Sequence, residues 1–338
     1  MKYLPVSAES LNEGAQILKN GGLVAFPTET VYGLGADAFN AQALARVFEV
    51  KKRPYFDPLI IHIAAIETLE KVIDFSLINE EMRKKLYLLA ENLWPGPLSI
   101  ILPKNEKIPG IATSGLETAA IRFPDNEAAQ KLISLSTGAV AAPSANPFGG
   151  LSPTRAEHVK NGLGEKVDMI LDGGPSRVGL ESTVLDITGD ILKILRPGGT
   201  PKEAIEKLIG PIKASSEQDA ILSPGQLENH YAPRTPLYVL NSEEIINKTF
   251  DKIDDKKTAF LFFDNNSKDS WLNTQKEHKT AIIKVLSENG DILQAASRLF
   301  ETLHELDNLN VSQIFAQLAP NTGLGEAIND RLLKGASN

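Results

Sequence analysis

The 338-residue sequence predicts an α/β protein of two domains, and three observations carry that reading. Short apolar runs alternate with stretches of helical period along the chain. Glycine and proline crowd to one side, 20 of 25 Gly and 15 of 20 Pro preceding residue 211, which marks many short strands joined by shaped loops. Beyond residue 236 the pattern restarts with simpler elements. A chain of this length also exceeds the roughly 250–300 residues at which one core usually divides.

In the first part, taken as residues 1–210, strands are expected at Gly22–Phe26, Leu59–Ile63, Leu98–Leu102, Ala119–Phe123, Ala139–Ala142, Met169–Leu171, Thr183–Ile187 and Ile191–Leu195. Helical spacing falls at Ala8–Lys19, Ala41–Val50, Asn79–Glu91, Glu127–Leu135 and Lys202–Leu208, with Asn40 and Asn126 placed as N-caps. Residues 211–236 read as a linker, because Pro211, Pro224, Gly225, Pro233 and Pro236 interrupt any periodic element. Its run from Ser223 to Pro233 carries His230 and Tyr231, a pair that a plain spacer does not need. From 237 to 338, strands Leu237–Leu240, Thr258–Phe263, Ala281–Val285 and Val311–Phe315 alternate with helices Ser242–Phe250, Ile292–Leu306 and Glu326–Lys334. That alternation predicts a small, mostly parallel βαβ domain.

Composition removes whole classes of chemistry. The chain has no cysteine, which excludes a disulfide framework, a Cys-ligated zinc, an iron–sulfur cluster and a thiol nucleophile. The N-terminal MKYLPVSAESLNEG lacks the apolar core of a signal peptide, and no window approaches the roughly 18 apolar residues of a membrane span. A soluble protein of the reducing cytoplasm, with no membrane partner, is the expectation. Net charge is −8, with 22 basic against 25 acidic residues through position 212. Bulk charge therefore gives no nucleic-acid-binding domain, and contact with RNA would need a local basic patch.

Three loop stretches at strand ends carry the candidate chemistry. Pro27-Thr-Glu-Thr-Val-Tyr-Gly-Leu-Gly35 follows an apolar strand directly, where open α/β sheets bind ligands. Thr28, Glu29 and Thr30 are its polar side chains, and Gly33 and Gly35 permit close backbone approach to a ligand. A strand-terminating turn with a buried threonine pair is the alternative. Lys51-Lys-Arg-Pro-Tyr-Phe-Asp-Pro-Leu-Ile-Ile-His62 ends a helix in three cations, kinks at prolines and enters a strand bearing His62. Arg53 suits bidentate phosphate binding, whereas complementing the helix dipole and filling the core are the plainer roles for the cations and for His62. Ala142-Pro-Ser-Ala-Asn-Pro-Phe-Gly-Gly-Leu-Ser-Pro-Thr154 sets Ser144, Asn146, Ser152 and Thr154 in a rigid loop that can present donors to an anion, or simply form ST-turns.

Arg122 and Arg196 each close an apolar strand, and Leu180-Glu-Ser-Thr-Val184 adds Ser182. A charge there is costly unless an anion or a salt bridge answers it. Four cations from different strand ends (Lys51 or Lys52, Arg53, Arg122, Arg196) suit a polyanionic substrate plus a carboxylate. No His/Asp/Glu cluster has metal-cage spacing, so Mg²⁺ would be held by substrate phosphates and water. There is no G-x-S-x-G elbow. The residues alone thus point to a nucleotide- or phosphate-using enzyme that works by positioning and charge neutralisation.

Taken in order, PTETVYGLG, KKRP..DPLIIHI, WPGPLSIIL, AIRFP, APSANPFGGLSPT, DGG…ESTVLD and ILRPGG resemble the YrdC family of L-threonylcarbamoyl-AMP synthases. The trailing SPGQLENHYAPRTPL with a second α/β domain resembles that family's long form. The resemblance implies a twisted mixed sheet with a concave cavity, followed by a smaller Rossmann-like domain. It also implies that L-threonine, bicarbonate and ATP, with Mg²⁺, give threonylcarbamoyl-AMP and pyrophosphate. The product would then feed the proteins that modify the adenosine beside the tRNA anticodon.

Carried over residue by residue, the resemblance implies a threonine pocket at Thr30, His62, Arg122, Ala142 and Ser182. ATP contacts fall on Arg53, Asp57, Thr118, Ser144, Asn146, Ser152 and Arg196, with Lys51 or Lys52 as phosphate partner. His230 and Tyr231 fall where the family has a lid. One departure stands out: many relatives carry Asn where this chain has Asp57, a charge that would repel phosphate unless it meets Mg²⁺, a ribose or an adenine. A non-catalytic RNA-binding module is the competing reading, and carbamoyl transfer in metalloenzyme maturation a further one.

Overall fold

The computed structural model describes residues 1–214, 230–248, 250, 253–275, 278 and 280–337. The expected linker therefore lies outside the described residues at 215–229. The chain forms two compact units, the second of which also takes in Gly149–Leu151 and Val178–Leu180.

Among the described residues eleven strands build one sheet in the first unit: β1 (Lys2–Pro5), β2 (Val24–Phe26), β3 (Gly33–Asp37), β4 (Ile60–Ile63), β5 (Leu98–Pro103), β6 (Thr118–Arg122), β7 (Ala139–Ala141), β8 (Met169–Asp172), β9 (Thr183–Asp186), β10 (Lys193–Arg196) and β11 (Lys213–Ala214). Their order is β1-β8-β2-β3-β7-β4-β6-β5-β9-β10-β11, with parallel and antiparallel pairs mixed. The helices are α1 (Ala8–Lys19), α2 (Ala41–Lys51), α3 (Leu69–Val72), α4 (Glu80–Leu93), α5 (Glu127–Leu135), α6 (Ala156–Leu163) and α7 (Lys202–Ile209). Asn40 and Asn126 cap α2 and α5 as expected, each accepting from backbone N–H groups of the first turn.

Side chains alternate across the central strands and so sort into two layers. Ile61, Ile63, Leu98, Ile100, Leu102 and Ile121 enter the main core with Val47 and Phe48 of α2, Leu86 and Leu89 of α4, and Ile205 of α7. On the other face, α1 and α5 pack Leu11, Leu18, Leu132 and Ile133 against Val24, Phe26, Val140 and Met169. Further along this face Ile60, Ile101, Ala120, Val184 and Leu195 make a small apolar floor. His62, Arg122 and Ser99 pair in register across β4, β6 and β5 at its edge.

The expectation that Gly33 and Gly35 leave room for a ligand is corrected. Both lie within β3, and a Cβ on Gly35 would stand 2.8 Å from the Phe26 ring and 2.9 Å from Val140. The close approach is to the protein's own aromatic ring. Five elements of this unit lie beyond the sequence expectation: the exposed edge strand β1, the glycine-bearing β3, the short β11 and α3, and α6.

In the second unit β12 (Leu237–Leu240), β13 (Thr258–Phe262), β14 (Ile282–Val285) and β15 (Gln313–Gln317) alternate with α8 (Ser242–Asn247), α9 (Asn265–Thr274), α10 (Ile292–Asn308) and α11 (Gly325–Gly335). The sheet is wholly parallel in the order β12-β15-β13-β14. It is a small α/β domain of Rossmann-like architecture with a strand order of its own, since β15 separates β12 from β13. Trp271 packs with Phe250, Phe260, Phe262 and Phe315 at its centre. The last strand begins two residues later than expected and runs on to Gln317. That glutamine is tolerated because Phe263 N donates to its oxygen while its amide donates to Ser242 and Ser267 hydroxyls. The polar helix α9 is an addition to the expected elements. The turn after β12 has no glycine, and Asn241 and Glu244 close the start of α8 with a reciprocal capping box.

Candidate active site

The β2–β3 turn is closed by its own hydroxyls. Thr28 Oγ1 donates to the Val31 carbonyl at 2.6 Å, accepts from the Thr30 and Val31 amides, and stands 2.8 Å from Thr30 Oγ1. The turn presents Glu29 to Arg122, whose Nη2 lies 2.7 Å from Oε1, and both side chains are buried. Of the two answers open to the Arg122 charge, the structure shows the salt bridge: its partner is a carboxylate that arrives from the β2–β3 turn.

His62 stands beside Arg122 in the neighbouring strand. Its Nδ1 is 3.1 Å from the Ile60 carbonyl; a carbonyl only accepts, so Nδ1 carries the proton. Burial, and then the Arg122 charge, push its pKa down to about 3, and the ring is neutral at physiological pH. Across the row, Ser99 Oγ lies 2.8 Å from Ser182 Oγ. Arg196 grips the same residue, donating Nε and Nη2 to the Ser182 carbonyl at 3.1 and 2.8 Å and Nη2 to its hydroxyl at 3.0 Å. This fit requires glycine at 198, where a Cβ would stand 2.4 Å from the Glu181 oxygen.

A second charged group forms where α2 ends. Arg53 pairs with Asp57 at 2.8 Å and donates to the carbonyls of Asp57 and Pro58. Burial pushes the Asp57 carboxyl up while Arg53, Lys51 and Arg196 pull it down, burial prevailing. Lys51 donates Nζ to the Ser144 carbonyl at 2.6 Å and to the Asn146 carbonyl, and burial holds its pKa well below the ordinary lysine value. The two lysines of the motif are thus distinguished. Lys51 is buried against the 143–148 loop, whereas Lys52 is the exposed left-handed C-cap of α2.

The 142–154 stretch is wired to both groups by its backbone. Ala142 N donates to Ile60 O, Ala145 N to Tyr32 O and Phe148 N to Lys51 O, and Ser144 bridges Gly33. Asn146 donates to the Pro147 carbonyl. Ser152 donates its hydroxyl to the buried Glu181 carboxylate. Thr118 opens β6 on the same face as Arg122. His230 and Tyr231 belong to the second unit: Tyr231 is buried against Phe300, with the Arg331 guanidinium 4.8 Å above its ring, and His230 N donates to Lys334 O.

Among the described residues no three His, Asp or Glu side chains gather at metal-holding distance, and no helix is long and apolar enough to cross a membrane. A cleft of about 510 Å³ lies apart from these groups, at the starts of α1 and α5. Ser7 and Asn126 cap the two helices that open onto it.

Residues 16–198 match the Sua5/YciO/YrdC family, described as "Telomere recombination", and residues 200–337 match the "Threonylcarbamoyl-AMP synthase, C-terminal domain". The chain belongs to this family. The threonylcarbamoyl-AMP synthase of Pyrococcus abyssi is 40% identical over 95% of this chain and 92% of its own length. That of Bacillus subtilis is 38% identical over 98% and 94%. The crystal structure of P. abyssi Sua5 complexed with L-threonine superposes with a TM-score of 0.85 at 38% identity, covering 99% of this chain and 96% of that one. The resemblance drawn from the ordered motifs is therefore borne out at the level of family and fold.

The structure brings Glu29, His62, Arg122, Ser99 and Ser182 together through adjacent strands and turns, with Thr30 following Glu29 in the β2–β3 turn and bonded to Thr28. Lys51, Arg53, Asp57 and Arg196 form the other charged group, with Ser182 between the two. Sequence reasoning gives no role to Ser99 and Glu181 and leaves Glu29 without a partner. The available signals are a lone hydroxyl in the apolar run LSIIL and an acidic residue directly before Ser182.

Proposed function

We propose that this chain is an L-threonylcarbamoyladenylate synthase, converting L-threonine, bicarbonate and ATP into threonylcarbamoyl-AMP and pyrophosphate. The observation that carries the reading is the pair of buried charged groups joined through Ser182. One, Arg122 with Thr30, His62, Ala142 and Ser182, suits an amino-acid carboxylate and hydroxyl. The other, Lys51, Arg53 and Arg196 with Ser144, Asn146, Ser152 and Thr118, suits a triphosphate nucleotide.

The chemistry needs no covalent enzyme intermediate. Threonine must meet bicarbonate to become a carbamate, and a carbamate oxygen must lie in line with the α-phosphate. Holding the reactants in that geometry supplies roughly 7–11 kcal/mol, and the fixed guanidinium groups stabilise developing phosphate charge. Mg²⁺, when bound, would neutralise the phosphates. Among the described residues no three acidic or histidine side chains gather to hold it, so the nucleotide and water would supply most of its ligands. The resemblance assigns His230 and Tyr231 to a lid, and the cytoplasmic product would pass to the proteins that modify tRNA, with tRNA itself the secondary partner.

The test is mass-spectrometric detection of threonylcarbamoyl-AMP. Product and pyrophosphate should appear only when ATP, threonine and bicarbonate are all present. Pyrophosphate release that ignores threonine rejects the reading. Arg122→Lys, which keeps charge but loses the fork, should raise the threonine KM about 10–100-fold.

A further inference from the structure

Glu29 is 2% exposed and Arg122 4%, and the two meet at 2.7 Å. The approach is out of line with the guanidinium N–H groups. Neither oxygen of Glu29, and neither Nε nor Nη2 of Arg122, completes an aligned hydrogen bond with any described residue. A buried ion pair left this incompletely bonded is poorly compensated for the loss of water. A ligand with an anion for the guanidinium and N–H donors for the carboxylate close beside it would complete it. An α-amino-acid zwitterion has that arrangement.

The threonine reading also demands a proton acceptor. An ammonium group has no lone pair, so it must lose a proton before its nitrogen attacks carbon. His62 is a poor candidate, because burial and Arg122 push its pKa down to about 3. Asp57 stands in the other group, beside Arg53. Thr30 and Ser182 are hydroxyls. Glu29 is the carboxylate at Arg122.

We propose that Glu29 binds the α-ammonium group of the amino-acid substrate and accepts its proton, while Arg122 turns from Glu29 to the substrate carboxylate. The inference rests on the threonine reading above. In the first step the N–H bond breaks and its proton goes to Glu29 Oε, giving a neutral amine and a carboxylic acid. In the second the amine lone pair forms the N–C bond to bicarbonate carbon and the C–OH bond breaks. The departing hydroxide takes the second amine proton and leaves as water. The product is the carbamate, and Glu29 returns its proton to solvent before the next turnover.

Wild type, Glu29→Gln and Glu29→Asp are compared for threonine-dependent pyrophosphate release from about pH 6.5 to about pH 9.5, with unfolding temperature measured alongside. Glu29→Gln should lose about 100-fold or more in turnover near pH 7. It should recover at least about tenfold as rising pH deprotonates the amine in solution. Glu29→Asp should fall between, and carries the same test if the glutamine variant does not fold. Turnover within about threefold of wild type, or a loss equal at every pH, overturns the proposal.

Calorimetry separates failure of this inference from failure of the function. Glu29→Gln should weaken L-threonine about tenfold while leaving 3-hydroxybutyrate, which lacks the ammonium, bound no worse. Equal weakening of both rejects the ammonium contact. Wild-type protein that shows the Glu29-dependent preference but makes no product rejects the synthase reading and retains the contact.

Discussion

Arg53 and Asp57, four residues apart, form a buried ion pair at 2.8 Å in which the arginine also donates to the carbonyls of Asp57 and Pro58. The pair explains how an acidic side chain is tolerated among Lys51, Arg53 and Arg196, where the resemblance implies a nucleotide phosphate. The carboxylate answers a guanidinium that the same turn has removed from water.

Removing that answer should be costly. Asp57→Ala leaves Arg53 without its carboxylate and should lower stability by about 3–5 kcal/mol in denaturant unfolding. Asp57→Asn, which keeps the shape and a polar oxygen beside Arg53, should cost less than Asp57→Ala. Because it removes one negative charge from three cations, it should also lower the KM for ATP. An unchanged or higher KM rejects the electrostatic account.

His62 makes stability depend on pH. Its folded-state value of about 3 lies below the ordinary 6.5, so between these limits the unfolded chain takes up a proton that the folded chain does not. Stability should therefore fall as pH drops through that window, at up to about 1.4 kcal/mol per unit for this group. Urea unfolding of wild type and His62→Gln at several pH values checks this: the variant should show the shallower slope.

Lys51→Met keeps the apolar stem and deletes both donors to the 144–146 carbonyls. Each buried carbonyl left unsatisfied costs about 1–3 kcal/mol, so the variant should unfold measurably earlier. Since Lys51 fastens the loop that bears Ser144 and Asn146, steady-state kinetics should show the ATP KM rising more than the threonine KM. An equal rise in both would place Lys51 outside the nucleotide group.

Gly198→Ala forces a methyl onto the Glu181 carbonyl. Overpacking of this kind costs about 1–3 kcal/mol. By displacing Ser182 it should also disturb Arg196 and Ser99 together, so both substrates should lose affinity. A variant with wild-type unfolding temperature and kinetics contradicts the close packing of the two turns.

Strands written as short apolar runs are legible in the sequence: Leu98–Pro103 and Thr183–Asp186 fall within a residue of expectation. β3 is not, because its glycines serve the Phe26 ring and carry no hydrophobic signal of their own. The apolar run of β15 suggests a start two residues too early, and Gln317 looks unsuited to a strand until its three hydrogen-bond partners are known. Among the candidate site residues, Lys51 and Lys52 look interchangeable as neighbours in a basic run. The end of α2 separates them by turning one inward and leaving the other at a left-handed cap.

Local patterns suffice for the α/β class and the family, because hydrophobic period, turn chemistry and short ordered motifs are written in contiguous residues. Charge partners are not. Lys51 reaches Ser144 across 93 positions and Ser99 reaches Ser182 across 83, separations closed only by strand order and register. Whether Arg122 meets a protein carboxylate or stands alone is undecidable from its own strand. Glu29 is brought to it by the turn between β2 and β3, and burial then makes that meeting the most consequential contact of the site.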